Sequence, residues 1–257
     1  MLSIGARRTA TVLQRLPSAR RLSSVVQSVQ SHENAVRDLM QDYWAQHSAS
    51  GSIEEMMLDN DAGKIEAEER QEILSMLPSV KDKRVLELAA GVGRFTGELC
   101  KEAKAVTAVD FVQKFSDMNL EANNRHGNLQ CLCADVTVLE QRPRSHDLVF
   151  SNWLLMYLSD EEVQRFATNA MLWLKPGGSL FFRESCFRQS GNAARNINPT
   201  QYRRPGAYTD IFSAVTAVED GTKYTFELRR MQPVQTYIKH KGNDGQICWL
   251  WTKVALE

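Results

Sequence analysis

No stretch of the 257 residues holds 18 consecutive apolar side chains, so no segment reads as a membrane-spanning helix. Cysteine is scarce, with five in all, and only Cys131 and Cys133 lie close together. Neither a CxxC pair nor a Cys/His cluster occurs. That spacing argues against a zinc site and a disulfide framework; reduced, mostly buried thiols are expected, and no metal. Acid is missing from residues 1–32, while Arg7, Arg8, Arg15, Arg20 and Arg21 fall there among serines and scattered apolar side chains. Such a segment reads as a mitochondrial transit peptide, expected to be disordered, ahead of a single domain over 33–257. The alternative is a basic arm for membranes or nucleic acid. Without those five arginines the net charge drops from 0 to −5, a poor match to a polyanion. The matrix is the expected location, or the cytoplasm if the leader does not function.

What is present is ordinary for a globule: 43% hydrophobic and 24% charged residues. After residue 33 the pattern alternates. Amphipathic helices are expected over 34–48 and 66–80, capping the site from the N-terminal side. Apolar strands follow over 84–90, 105–111, 129–136, 146–155 and 179–185. Helical patterns stand between them over 94–103, 112–127 and 159–178. The last opens on a Ser159–Asp160 cap and closes on Pro176-Gly177-Gly178. Three later segments, 223–231, 234–240 and 246–254, read as β, which suggests an antiparallel addition. Strands alternating with helices imply a parallel sheet covered on both faces.

The first strand runs into a small-residue turn, "VLELAAGVGRFTGEL", that opens a helix. A turn of this kind lets backbone approach a nucleotide-bearing cofactor. The dinucleotide fingerprint requires a third glycine, but Arg94, Phe95 and Thr96 follow Gly91-x-Gly93. Acids stand instead at Glu87, Asp110 and Asp135, in or at the ends of three successive strands. A carboxylate at Asp110 can take both ribose hydroxyls, and one at Asp135 can accept from an adenine amino group. Taken singly, each could be a helix cap or a solvated strand end. Together they suit S-adenosylmethionine better than NAD. The expected fold is therefore the Rossmann-like class I methyltransferase, with a mostly parallel seven-stranded sheet. Glu87, Ala89, Gly91, Gly93, Asp110, Phe111, Asp135, Val136 and Asn152 are the expected cofactor residues.

Several blocks sharpen this. "DYWAQHSAS", "GVGRFTGEL", "CADVT", "FSNWLLMYLSDEEV", "FFRESCFRQSG", "NPTQYRRPGAYT" and "QICWLWTKV" together resemble the phosphoethanolamine N-methyltransferases. The likeness is to the first, amino-terminal domain of the two-domain plant enzymes and the corresponding nematode form. Ala89 stands where that family usually has glycine, and Gly206 where an arginine is common. The resemblance implies N-methylation of a small phosphobase, with Tyr43 and Tyr157 over the reacting centre. His47, one turn after Tyr43, is a candidate base. Trp153 adds an aromatic face for a methylated ammonium. A clamp for phosphate is expected from Tyr202, Arg203, Arg204, Tyr208 and Lys239, with Lys241 the second lysine of that segment; a solvated loop is the plainer reading of the arginines. Other outcomes that share the cofactor half are a mitochondrial protein-lysine or other small-molecule methyltransferase, or a catalytically weak relative. A separate second methyltransferase could act downstream.

Overall fold

The computed structural model describes residues 36–46, 50–195 and 198–256. The expected leader over 1–32 and His47 lie outside them. The chain divides into two units, Met1–Leu39 and Met40–Glu257. In the first, the described residues 36–39 are helical. The second begins with helix α1 over residues 40–46.

Five parallel strands carry that second unit: β1 (Arg84–Leu88), β2 (Ala105–Asp110), β3 (Leu129–Cys133), β4 (His146–Asn152) and β5 (Leu174–Ser185). Three more complete an eight-stranded sheet, β6 (Thr216–Glu219), β7 (Thr222–Pro233) and β8 (Gln246–Ala255). The order is β3-β2-β1-β4-β5-β8-β7-β6, with β8 antiparallel to both β5 and β7. The helices are α2 (Ile53–Met57), α3 (Glu66–Ser75), α4 (Thr96–Glu102), α5 (Gln113–Asn123), α6 (Asp160–Trp173), α7 (Pro205–Ser213) and α8 (Gln235–Lys241).

The central strands are apolar on both faces because both are covered. Leu86, Val149, Phe182 and Trp249 pack with Phe166 and Ala170 of α6 and Phe212 of α7. Val85, Phe150, Phe181 and Cys248 pack on the other face with Ile73 of α3, Leu99 of α4 and Tyr237 of α8. The Ser159 cap is a full capping box with Glu162, as the local pattern predicts.

Two expectations about strands need correction. The sheet has eight strands, not seven: residues 216–219 form β6, a short partner of β7 across the turn at Asp220 and Gly221. It is secured by buried Lys253, which donates to Glu219 at 2.8 Å and to the carbonyls of Met171 and Leu174. Residues 234–240, expected as β, lie mostly in α8. The reason is remote: Glu72 of α3 accepts from the backbone N–H groups of Gln235 and Thr236 at 2.6 and 2.8 Å. A carboxylate satisfying the free donors of a helix start fixes that start.

Candidate active site

Sheet order reverses direction about β1, so a crevice forms at the carboxyl ends of β1, β2 and β4. The chain leaves β1 through three left-handed residues, Ala89 (φ 54°), Gly91 (φ 54°) and Gly93 (φ 88°). Gly93 has no alternative, because an added Cβ would fall 2.2 Å from Asn119 Oδ1 and 2.3 Å from Asn123 Nδ2. Ala89 adopts its conformation with a methyl group, at a cost of about 1 kcal/mol.

Asp110 ends β2 and gathers the turn. Its Oδ2 accepts from the Gly91 N–H and its Oδ1 from the Val112 N–H, each at 2.9 Å. Burial pushes its carboxyl up to about 6, against the opposing pull of these backbone donors. It is therefore mostly ionised at pH 7. Asp135 follows β3; its Oδ1 holds the N–H and hydroxyl of Thr137 at 2.8 Å each. Phe111 and Val136, beside these two acids, are half-buried. At the end of β4, the Asn152 Oδ1 is buried without a hydrogen-bond partner among the described residues. An orphaned buried acceptor and a second Asp135 oxygen with no bond among the described residues fit the amino groups of S-adenosylmethionine. Asp110 fits its ribose.

Glu87 lies beneath the turn. Its Oε2 accepts from the Thr96 hydroxyl at 2.6 Å, Asn119 donates to Thr96 at 2.9 Å, and Asn123 donates to Asn119 at 2.9 Å. The acid ties α4 and α5 to β1. Burial pushes its carboxyl up to about 8, so it carries a proton at pH 7.

A second group of side chains surrounds the turn that follows β4. Tyr43 is buried on α1, and the Trp44 ring meets Tyr157 edge-on at 5.6 Å. Tyr157 sits in a turn over 155–157 that Glu184 holds in place. That buried carboxylate accepts from the backbone N–H groups of Leu154, Leu155 and Met156 at 3.1, 2.8 and 3.1 Å. Burial raises both phenols, Tyr43 and Tyr157, so neither is a phenolate at neutral pH.

The other expected acceptor residues are placed differently. Trp153 (φ 57°) lies under the Arg183 guanidinium at 3.5 Å from its ring centroid. Arg183 is fully buried and pairs with Glu69 at 2.9 Å, and Glu69 also takes Arg94 at 2.5 Å. Arg203 is committed to Asp160 at 2.6 Å and to the carbonyls of Leu155 and Leu158. Tyr208 is a core residue between Phe182 and Trp249. Arg204 is exposed at the start of α7, and Lys239 pairs with Glu68 at 2.8 Å on the surface. Tyr202 is half-buried. Glu69, Arg183 and Glu184 join the site from outside the candidate residues of the sequence. Charged residues inside an apolar run, as in "LFFRES", are a signal for Arg183 and Glu184; Glu69, in the charged run "EAEERQE", carries none.

A family model described as a methyltransferase domain matches residues 85–178. The chain carries a Rossmann-like class I methyltransferase domain. The methyl donor of this domain is S-adenosylmethionine. The wheat (Triticum aestivum) "Phosphoethanolamine N-methyltransferase" is 48% identical over 223 residues, which is 85% of this chain and 44% of the relative. Phosphoethanolamine N-methyltransferase 1 of Arabidopsis thaliana is 46% identical over 86% of this chain and 46% of its own. The solved structure of Haemonchus contortus phosphoethanolamine N-methyltransferase 1, in complex with phosphoethanolamine and S-adenosylhomocysteine, matches with a TM-score of 0.84. It is 37% identical and covers 87% of this chain and 50% of that one. The chain thus spans about half the length of the curated relatives it matches.

For the methyltransferase domain, Asp110→Ala is expected to weaken S-adenosylmethionine binding ten-fold or more. A charge-assisted acceptor is worth about 1.5–3 kcal/mol. The wild-type affinity should fall as pH drops through about 6, because the neutral acid is the weaker acceptor. Titration calorimetry reads both, and an unchanged affinity in the variant would remove the assignment.

Proposed function

We propose that the domain transfers a methyl group from S-adenosylmethionine to the amine of phosphoethanolamine. The observation that carries this reading is the pair of buried phenols, Tyr43 and Tyr157, the second in the turn that leaves the carboxyl end of β4, in a methyltransferase domain whose relatives are named for that phosphobase. S-adenosylmethionine supplies an electrophilic methyl on a sulfonium. The protein must align an amine lone pair behind that methyl, which lowers the barrier by several kcal/mol. Two neutral phenol oxygens can accept from the amine N–H groups and aim the lone pair. The Trp44 and Tyr157 faces accommodate the positive charge that builds on nitrogen. The amine must arrive unprotonated or give up a proton in the site, since an alkylammonium is mostly charged at pH 7. The Glu184 carboxylate keeps the Tyr157 turn rigid, so the phenol does not need to be ordered at the moment of reaction.

Mass detection of products after incubation with S-adenosylmethionine and phosphoethanolamine tests the reading. Methylated phosphobase supports it; methylation of lysine peptides alone would replace it. We infer, from the acid-free arginines of residues 1–32, that the protein is imported into the mitochondrial matrix. A fusion of residues 1–35 to a fluorescent protein should enter mitochondria, and a cytosolic signal would contradict this. A product short of three methyls would pass to a separate methyltransferase.

A further inference from the structure

We propose that Arg195 is the cation that meets the phosphate of the acceptor. This rests on the phosphoethanolamine reading and names the residue that would give it specificity.

A phosphate monoester carries close to two negative charges, and taking it out of water needs several donors and at least one cation. The cations that the sequence puts forward are spent elsewhere. Arg203 has its guanidinium filled by Asp160, Gln201 and two backbone carbonyls. Lys239 is held on the surface by Glu68, and Lys241 pairs with Asp59. Arg204 is exposed, and at Gly206 no side chain exists to help; a Cβ there would meet open space.

Arg195 is in the opposite condition. It is half-buried, and its Nε is sealed from solvent with no hydrogen-bond partner among the described residues. A buried charged donor left unmatched is costly, and native structures seldom keep one without a role. Described residues before and after it in the chain are anchored. The Ala193 N–H donates to the Leu58 carbonyl at 3.1 Å, and the Gln201 N–H to the Met156 carbonyl at 2.7 Å. The second anchor ties Gln201, next to Tyr202, to the turn that presents Tyr157. Arg195 also acts electrostatically on both Tyr43 and Tyr157, and Tyr202 acts on the same two phenols. Arg195 and Tyr202 are thus near enough for their charge and dipole to be felt by the phenols that would hold the amine. A guanidinium there offers a fork of donors to phosphate oxygens, with the Tyr202 hydroxyl as a further donor. The acceptor would be bound as a zwitterion, its amine toward the two phenols and its phosphate toward Arg195.

The test compares wild type, Arg195→Ala and Arg195→Lys, in binding as well as turnover. Calorimetry should show phosphoethanolamine binding at least ten-fold weaker in Arg195→Ala, with partial recovery in Arg195→Lys. S-adenosylmethionine affinity and the melting temperature should not change. KM for phosphoethanolamine should rise by a similar factor, and by far more than KM for free ethanolamine, which lacks the phosphate. Equal binding by wild type and Arg195→Ala would overturn the assignment and leave the proposed function standing. So would a loss in Arg195→Ala that affects ethanolamine equally. No binding of phosphoethanolamine by wild type would overturn both. Should Arg195→Ala fail to fold, Arg195→Lys against Arg195→Gln decides the matter, because only the first keeps the charge.

Discussion

Glu69→Gln should cost the fold about 3–5 kcal/mol, the range found when one partner of a buried ion pair is removed. Glu69 is fully buried, and its two oxygens go to separate arginines, Arg183 at 2.9 Å and Arg94 at 2.5 Å. Arg183 comes from β5 and Arg94 from the glycine turn, so a single carboxylate joins α3 to both. The amide keeps the shape and one acceptor but loses the charge that offsets two guanidiniums. Arg183 is fully buried, so what then offsets its charge is the Trp153 and Tyr237 ring faces rather than a paired carboxylate. Denaturant unfolding of the two proteins, at matched m-values, gives the difference directly. A loss below about 1 kcal/mol would mean that the pair contributes no more than a surface bridge. The double variant Glu69→Leu with Arg183→Met should recover part of the loss, because it strands one guanidinium, that of Arg94, instead of two.

Glu87→Gln should act in the other direction and flatten the pH dependence of stability. In the folded protein the Glu87 carboxyl is raised from the ordinary 4.5 to about 8 by burial. The fold therefore holds a proton that the unfolded chain releases, and stability must fall as pH rises through this window. Asp110, raised from 3.8 to about 6, adds to the same slope, but only below pH 6. Between pH 6 and 8 the slope belongs to Glu87 and amounts to about 2–3 kcal/mol, since each pH unit is worth 1.36 kcal/mol. The amide side chain of the variant has no proton to lose and can still accept from Thr96. The variant should match wild type near pH 5 and exceed it by several kcal/mol at pH 8. Parallel pH profiles for the two proteins would show that Glu87 does not carry the buried proton.

Those two acids mark the boundary of what could be read from the chain. The glycine turn, the acid ending β2 and the Ser159 capping box are local patterns, and each stands where its residues place it. The class of fold follows from the same alternation of strand and helix. Residues whose partners are distant were harder. Glu69 and Arg183 meet across 114 positions, and Glu72 reaches 163 positions to start α8. Nothing within a few residues of "QTYIKHK" signals that a carboxylate from α3 will satisfy its first donors. Arg203 shows the same limit in reverse. Beside Tyr202 it reads as a ligand, yet Asp160 and two carbonyls, more than 40 residues away, take its donors first.

The place of β8 in the sheet bears on how the chain comes off the ribosome. Synthesis runs from the amino end, and domains fold as their parts emerge. Strands β1 to β5 can assemble once residue 185 is free, and the β6–β7 hairpin can close on its own. The two cannot join until residues 246–255 arrive, because β8 pairs with β5 on one side and β7 on the other. Until then the growing chain presents β5 and β7 as two open edges, each with unpaired backbone groups that invite pairing with other chains. A nascent or clipped chain that lacks its last strand would therefore be the aggregation-prone species, whatever the stability of the finished fold.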